Sequence, residues 1–166
     1  QEDKQIELKG NEQTEPEEDL YLKTEKYKIG EEDTNNYTNG DKYIYRVSPN
    51  TQISEFINNL STNGNISVYN ANGEEQTNYD ELVGTGMILK ISKDNQTIEL
   101  IISVLGDING NGKVGGDTLT ELRGILYENM EVDELFIKSL DINGNKTIEA
   151  EDLTLIRGVL YEEQII

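Results

Sequence analysis

The sequence has no cysteine, no histidine and no tryptophan, and only two prolines and two methionines. Without cysteine there is no disulfide and no thiolate nucleophile. Without histidine there is no imidazole base, and zinc loses its usual ligands. Basic residues are also scarce, 14 against 33 acids, for a formal net charge of -19. That balance argues against nucleic acid, whose phosphates call for Lys and Arg, and against an anionic membrane surface. No apolar run approaches the roughly 20 residues of a membrane helix, so membrane insertion is not expected. The chain opens with Gln1 and lacks a basic-then-apolar start. We therefore expect a processed product whose signal peptide is gone.

What remains is acidic, polar and organised in three stretches. Residues 1–19 carry eight acids and two lysines around the isolated apolar Ile6 and Leu8. Too little apolar surface is available there to offset the entropy of ordering, so a linker is expected. Residues 20–105 read as a small α+β module. Tyr43, Tyr45 and Val47 alternate as in a strand. Ile53, Phe56, Ile57 and Leu60 recur at helical spacing, and Asn63-Gly64 stops the run. Ile66 and Val68 open a further strand. Met87, Leu89 and Ile91, then Ile98, Leu100, Ile102 and Val104, read as a hairpin around Lys93-Asp94-Asn95. A β-grasp-like layer and an immunoglobulin-like sandwich both suit that order. Tyrosines at strand positions point to packing more than to a sugar-stacking patch.

The third stretch, 106–163, contains a duplication. Residues 107–128 and 141–162 are identical at 12 of 22 positions, 34 residues apart, and both begin Asp-Ile-Asn-Gly-Asn. A helix-loop calcium site draws oxygen ligands from loop positions 1, 3, 5, 7, 9 and 12. In the second copy these are Asp141, Asn143, Asn145, the Thr147 carbonyl, Glu149 and Asp152. In the first copy Asp107, Asn109, Asn111 and the Lys113 carbonyl fit, but position 9 is Gly115 and position 12 is Thr118. Asp117, one residue earlier, closes that loop only if it distorts. The expectation is one strong calcium site, in the second loop, and one weak or altered site in the first. Ile148 is expected to pair with Val114 in a short two-stranded contact. Gly124 and Gly158 interrupt otherwise good helices, at about 1 kcal/mol each relative to Ala. Matching glycines suggest a close approach at both positions.

Gly-Asp-Ile-Asn-Gly-Asn-Gly-Lys-Val at 106–114, Leu-Asp-Ile-Asn-Gly-Asn at 140–145 and Ala-Glu-Asp-Leu-Thr-Leu-Ile-Arg at 150–157 resemble the type I-like dockerin family. The preceding module more weakly resembles the small β-rich X modules placed before some dockerins. The resemblance implies an all-α dockerin with two F-hand calcium loops after the β-rich module, joined by a linker helix near 132–139. It also implies calcium-dependent binding of a cohesin module on a scaffold or surface protein. The implied recognition positions are Gly116, Asp117, Arg123 and Gly124 in one copy and Ala150, Glu151, Arg157 and Gly158 in the other. Lys146 departs from the family at the sharp turn of its loop, where Gly is usual, and Thr118 departs at position 12.

The expected function is noncatalytic: an extracellular or bacterial cell-surface docking fragment of a larger protein, monomeric when unbound. The alternatives are a calcium-stapled C-terminal cap with no cohesin partner, or an accessory carbohydrate-binding module. A calcium-sensor switch is not expected, since Met87 and Met130 cannot furnish a Met-rich groove.

Overall fold

A computed structural model describes residues 16–166. The expected linker at 1–19 therefore falls largely outside the described residues. Seven strands and four short helices run in the order β1 (Leu22–Thr24), β2 (Lys28–Ile29), β3 (Tyr43–Val47), α1 (Ile53–Asn58), β4 (Leu60–Thr62), β5 (Asn65–Tyr69), β6 (Ile88–Lys93), β7 (Gln96–Val104), α2 (Gly116–Glu128), α3 (Glu134–Leu140) and α4 (Ala150–Tyr161). A five-stranded sheet has the order β2-β3-β7-β6-β5, and β1 pairs with β4 in a separate two-stranded sheet. β3 and β7 are parallel; the other pairs in the large sheet are antiparallel. Alternation along β6 and β7 buries Leu89, Ile91, Ile98, Leu100 and Ile102 on one face, where Ile53 and Phe56 of α1 cover them. Leu60 leaves the helical run and begins β4 instead.

A second apolar cluster, centred on Leu122, Leu140 and Ile156, lies among α2, α3 and α4. It is not a free-standing helical unit, and the expected fold class needs correction. The chain is a mixed α+β fold, mostly sheet, rather than a β-rich domain followed by an all-α dockerin. The physical reason is the bonding at the join. β7 runs into the first repeat with no linker. Gly106 N–H donates to Ser139 O at 2.7 Å, and Leu105 N–H donates to Val47 O at 2.8 Å. Ser103 and Ser139 hydroxyls meet at 2.7 Å, both fully buried. α3 thus packs against β3 and β7 on the sheet face opposite α1.

One core group is costly. Tyr27 is fully buried against Phe56, with ring centroids 5.1 Å apart, and its hydroxyl finds no hydrogen-bond partner among the described residues. The nearby Asn59 amide donates to Glu55 O instead. Burial, reinforced by Glu55, pushes the Tyr27 hydroxyl up to about 12. A raised pKa stabilises the fold below the unfolded value of about 10, and that contribution is lost as pH climbs through the folded one. Tyr27→Phe is expected to stabilise the protein by about 1 kcal/mol at pH 7, because it removes an unsatisfied buried hydroxyl. Urea unfolding should also show a shallower loss of stability between pH 10 and 12 than in the parent chain. A destabilised variant at pH 7 would contradict the first expectation, and an unchanged loss between pH 10 and 12 the second.

Candidate calcium loops and docking face

The two loops share a backbone. Positions 4 and 6 are left-handed in both: Gly110 and Gly112 at φ 82° and 76°, Gly144 and Lys146 at 78° and 70°. A left-handed conformation costs a non-glycine residue roughly 1–2 kcal/mol. Lys146 is held there because its N–H donates to Asp141 Oδ2 at 2.9 Å while its ammonium pairs with Asp33 at 3.2 Å. In each loop the first aspartate faces inward to the amides of the turn. Each Asn at positions 3 and 5 accepts from the amide two residues on. These short-range bonds follow directly from Asp-x-Asn-x-Asn.

The loops differ in how they close. Asp152 is fully buried; its Oδ1 accepts from Ile142 N and Asn143 N, and its Oδ2 from Glu149 N. It therefore stitches the first turn of α4 to the start of its loop. Thr118 is equally buried but neutral: its hydroxyl donates to Gly106 O at 2.6 Å and accepts from Gly115 N. Asp107 is fully buried and accepts five amides: Asn109, Gly110 and Asn111 at Oδ1, Gly112 and Thr85 at Oδ2. Five donors satisfy an ionised carboxylate, whose lone pairs offer about four acceptor positions, without help from a cation. Thr85 belongs to the segment before β6, so the first loop is fastened to the sheet. Asn50 N–H donates to Gly112 O at 2.8 Å from another side. The backbones pass so closely that a methyl group at Gly84 would collide with Gly110 O.

The second loop retains three carboxylates, Asp141, Glu149 and Asp152, plus the Asn143, Asn145 and Thr147 oxygens. That all-oxygen donor set, with its negative charge, fits a hard cation such as Ca²⁺. The first loop has Asp107 alone within the loop, with Lys113 on its rim, and fits poorly. Asp117 does not close it: its carboxylate faces the Asn109 side-chain amide at 2.7 Å and caps Thr118 N. Glu151 takes the matching place over Asn143, at 2.9 Å, beside Glu149. Among the described residues no three His, Cys, Asp or Glu side chains converge as a metal-holding group. Any cation in the second loop would therefore rely on the asparagine and carbonyl oxygens as well. The expected Val114–Ile148 bridge does not form among the described residues; both side chains pack into the helical cluster instead.

The implied recognition residues separate into two groups. Gly116, Asp117, Ala150 and Glu151 are exposed on the first turns of α2 and α4, and Arg123 and Arg157 are exposed mid-helix. Gly124 and Gly158 are buried. A Cβ at Gly124 would strike the Met130 sulfur, and one at Gly158 the Gln164 amide. The close approach that these glycines serve comes from the protein itself, where the chain doubles back after each helix. Met130 N–H returns to Gly124 O, and Gln164 N–H to Gly158 O. Sequence reasoning missed Thr120 and Tyr127, with their equivalents Thr154 and Tyr161. Tyr127 is 69 % exposed and Tyr161 75 %. Their signal was present in the repeat itself, because both pairs are identical between copies yet leave the core.

A cleft of about 610 Å³ separates the second loop and α3 from the sheet. Arg46 and Tyr45 of β3 enter it. The Arg46 guanidinium donates to Asp141 O at 2.7 Å and Ile142 O at 2.9 Å. The Lys138 ammonium lies 4.0 Å from the Tyr45 ring centroid. The Tyr45 hydroxyl donates a short hydrogen bond to Asp33. Burial and that bond raise Tyr45 well above the usual tyrosine range. Burial acts to raise Asp33 too, but Tyr45 and Lys146 outweigh it and hold the carboxyl low.

No family model, curated protein or solved structure matches the chain. The likeness to dockerins thus rests on the repeat residues quoted above.

The two closures differ in what a cation would find. Asp152→Asn is expected to weaken calcium binding by well over the 10- to 100-fold typical of residues behind a metal's direct ligands. Thr118→Val should leave it nearly unchanged while lowering stability by about 1 kcal/mol or more through the lost buried hydrogen bonds. Calorimetric titration of both variants checks this, and two equal calcium sites in the parent chain would refute it. Separately, Gly84→Ala should cost about 1–3 kcal/mol by overpacking the join, measured by denaturant unfolding.

Proposed function

We propose that the chain is a noncatalytic, calcium-dependent docking module of an extracellular or cell-surface bacterial protein, which binds a cohesin module through α2 and α4. The observation that carries this reading is the repeated exposed triad, Thr120-Arg123-Tyr127 and Thr154-Arg157-Tyr161. Spacings of three and four residues put each triad on one helix face. Both helices present the same threonine, arginine and tyrosine outward. Tyr and Arg are also the residue types that dominate binding energy at interfaces. Calcium in the second loop would order the start of α4 through Asp141 and Asp152, and so support one half of that face. The β-rich part anchors the first loop and presents both helices; the free chain is a monomer. A calcium-stapled cap without a partner draws support from a different observation: Asp152 ties the first turn of α4 to the start of the second loop, so a cation there would fasten the C-terminal helix with no partner needed.

Binding to a panel of cohesins, with calcium and with chelator, tests the reading. Arg123→Asp with Tyr127→Ala, and Arg157→Asp with Tyr161→Ala, are made singly and combined. We expect the combined variant to lose at least about 100-fold in affinity, since two residues of hot-spot type are removed from each helix. If the chain can dock in either of two orientations, each single pair costs little; if one helix dominates, one pair alone removes binding. Absence of any cohesin interaction in calcium would leave the stapled cap as the surviving reading.

A further inference from the structure

Arg46 occupies an expensive position. Its backbone is left-handed, φ 65°, at the irregularity where the β3–β7 register shifts between Ile44 and Val47. The bulge turns its side chain toward the second loop, where the guanidinium grips two consecutive carbonyls, those of Asp141 and Ile142. Gly144 of the same loop lies against the guanidinium, with room for a Cβ only 3.2 Å from Nη1. We propose that Arg46 is a positioning residue: it holds the second loop in its cation-receptive shape and so ties occupancy of that loop to the sheet. The proposal rests on the reading of that loop as a calcium site.

Two effects of Arg46 oppose each other. Its charge repels a divalent cation. Its grip fixes the loop in advance, so that binding orders less chain. The geometry favours the grip. The Asp141 carboxylate turns inward to Gly144, Asn145 and Lys146 amides, whereas its carbonyl turns outward to Arg46. The guanidinium thus approaches from the carbonyl side, half-buried in a cleft open to solvent, which screens its charge. The rigid fork of Arg matches two neighbouring carbonyls in a way a Lys ammonium cannot. Asp33 adds a second hold on the same loop through Lys146. Linkage makes the effect reciprocal: if Arg46 strengthens calcium binding, calcium must strengthen the Arg46 contact.

Calcium titrations of the full chain, Arg46→Asn and Arg46→Lys separate charge from grip. Asn tolerates the left-handed backbone. Arg46→Asn should bind calcium about 10- to 100-fold more weakly, the range for residues that orient metal ligands from behind. Arg46→Lys, which keeps the charge and loses the fork, should fall between. If repulsion governs, Arg46→Asn binds as tightly as the parent or more tightly, and the proposal fails. Amide exchange in the parent chain gives a readout that needs no variant: calcium should slow exchange across residues 45–47. Calcium binding with unchanged exchange there overturns the proposal and leaves the calcium reading intact. A parent chain that binds no calcium overturns both.

Discussion

The Asp107 carboxylate holds the two halves of this protein together. A fully buried ion is tolerated only when its lone pairs are filled, and here five amides fill them, four from its own loop and one from Thr85. Losing a donor weakens that compensation in a place water does not reach. The bend of the first loop, the approach of the 82–87 segment and the start of the helical cluster are therefore mutually dependent. The glycines at 84, 110 and 112 let the backbones come close enough for Thr85 to reach. The hydroxyls of Thr85, Ser103 and Ser139 then close the same join from the other side.

Duplication gave the two loops one backbone and the surroundings gave them different chemistry. In the first, the sheet supplies a donor that a metal would otherwise have to match, and a neutral Thr118 suffices at the closing position. In the second, no sheet amide reaches Asp141 among the described residues; three carboxylates share the loop, the Arg46 guanidinium stands outside it, and the ammonium of the loop's own Lys146 turns away to Asp33. A loop with that much negative charge has the greater need for a cation within, which is why the second copy is the one we propose for calcium.

Local order was legible where side chains alone dictate it. The alternation of Leu89 and Ile91 with Lys90, and of Ile98, Leu100 and Ile102 with Glu99, marks buried strand faces without any knowledge of partners. The Asp-x-Asn-x-Asn turns follow from short-range bonds as well. What the sequence could not display is who meets whom across long separations. The parallel pairing of β3 with β7, the two-residue strand β2 and the β1–β4 ladder all depend on contacts far apart in the chain. The helical part was expected to stand alone because its repeats look complete. Nothing local announces that Thr85, 22 residues before Asp107, bonds to it, or that Arg46 reaches a loop 95 residues away.

The matching glycines show how duplication can mislead and inform at once. Gly124 and Gly158 suggested an outside partner at close range, yet Met130 and Gln164 of the same chain fill the space. Each fold-back caps the carbonyl of its glycine and covers it on the helix face shared with Thr120 or Thr154, away from the core residues Leu122 and Ile156. The protein's own chain thus closes part of each outward face. Those faces carry Arg123 with Tyr127 and Arg157 with Tyr161, long side chains whose burial against a partner would remove far more apolar area than the glycines could. The doubled-back segments thus narrow the exposed surface of each helix the same way twice, and the remainder is the surface we propose for docking.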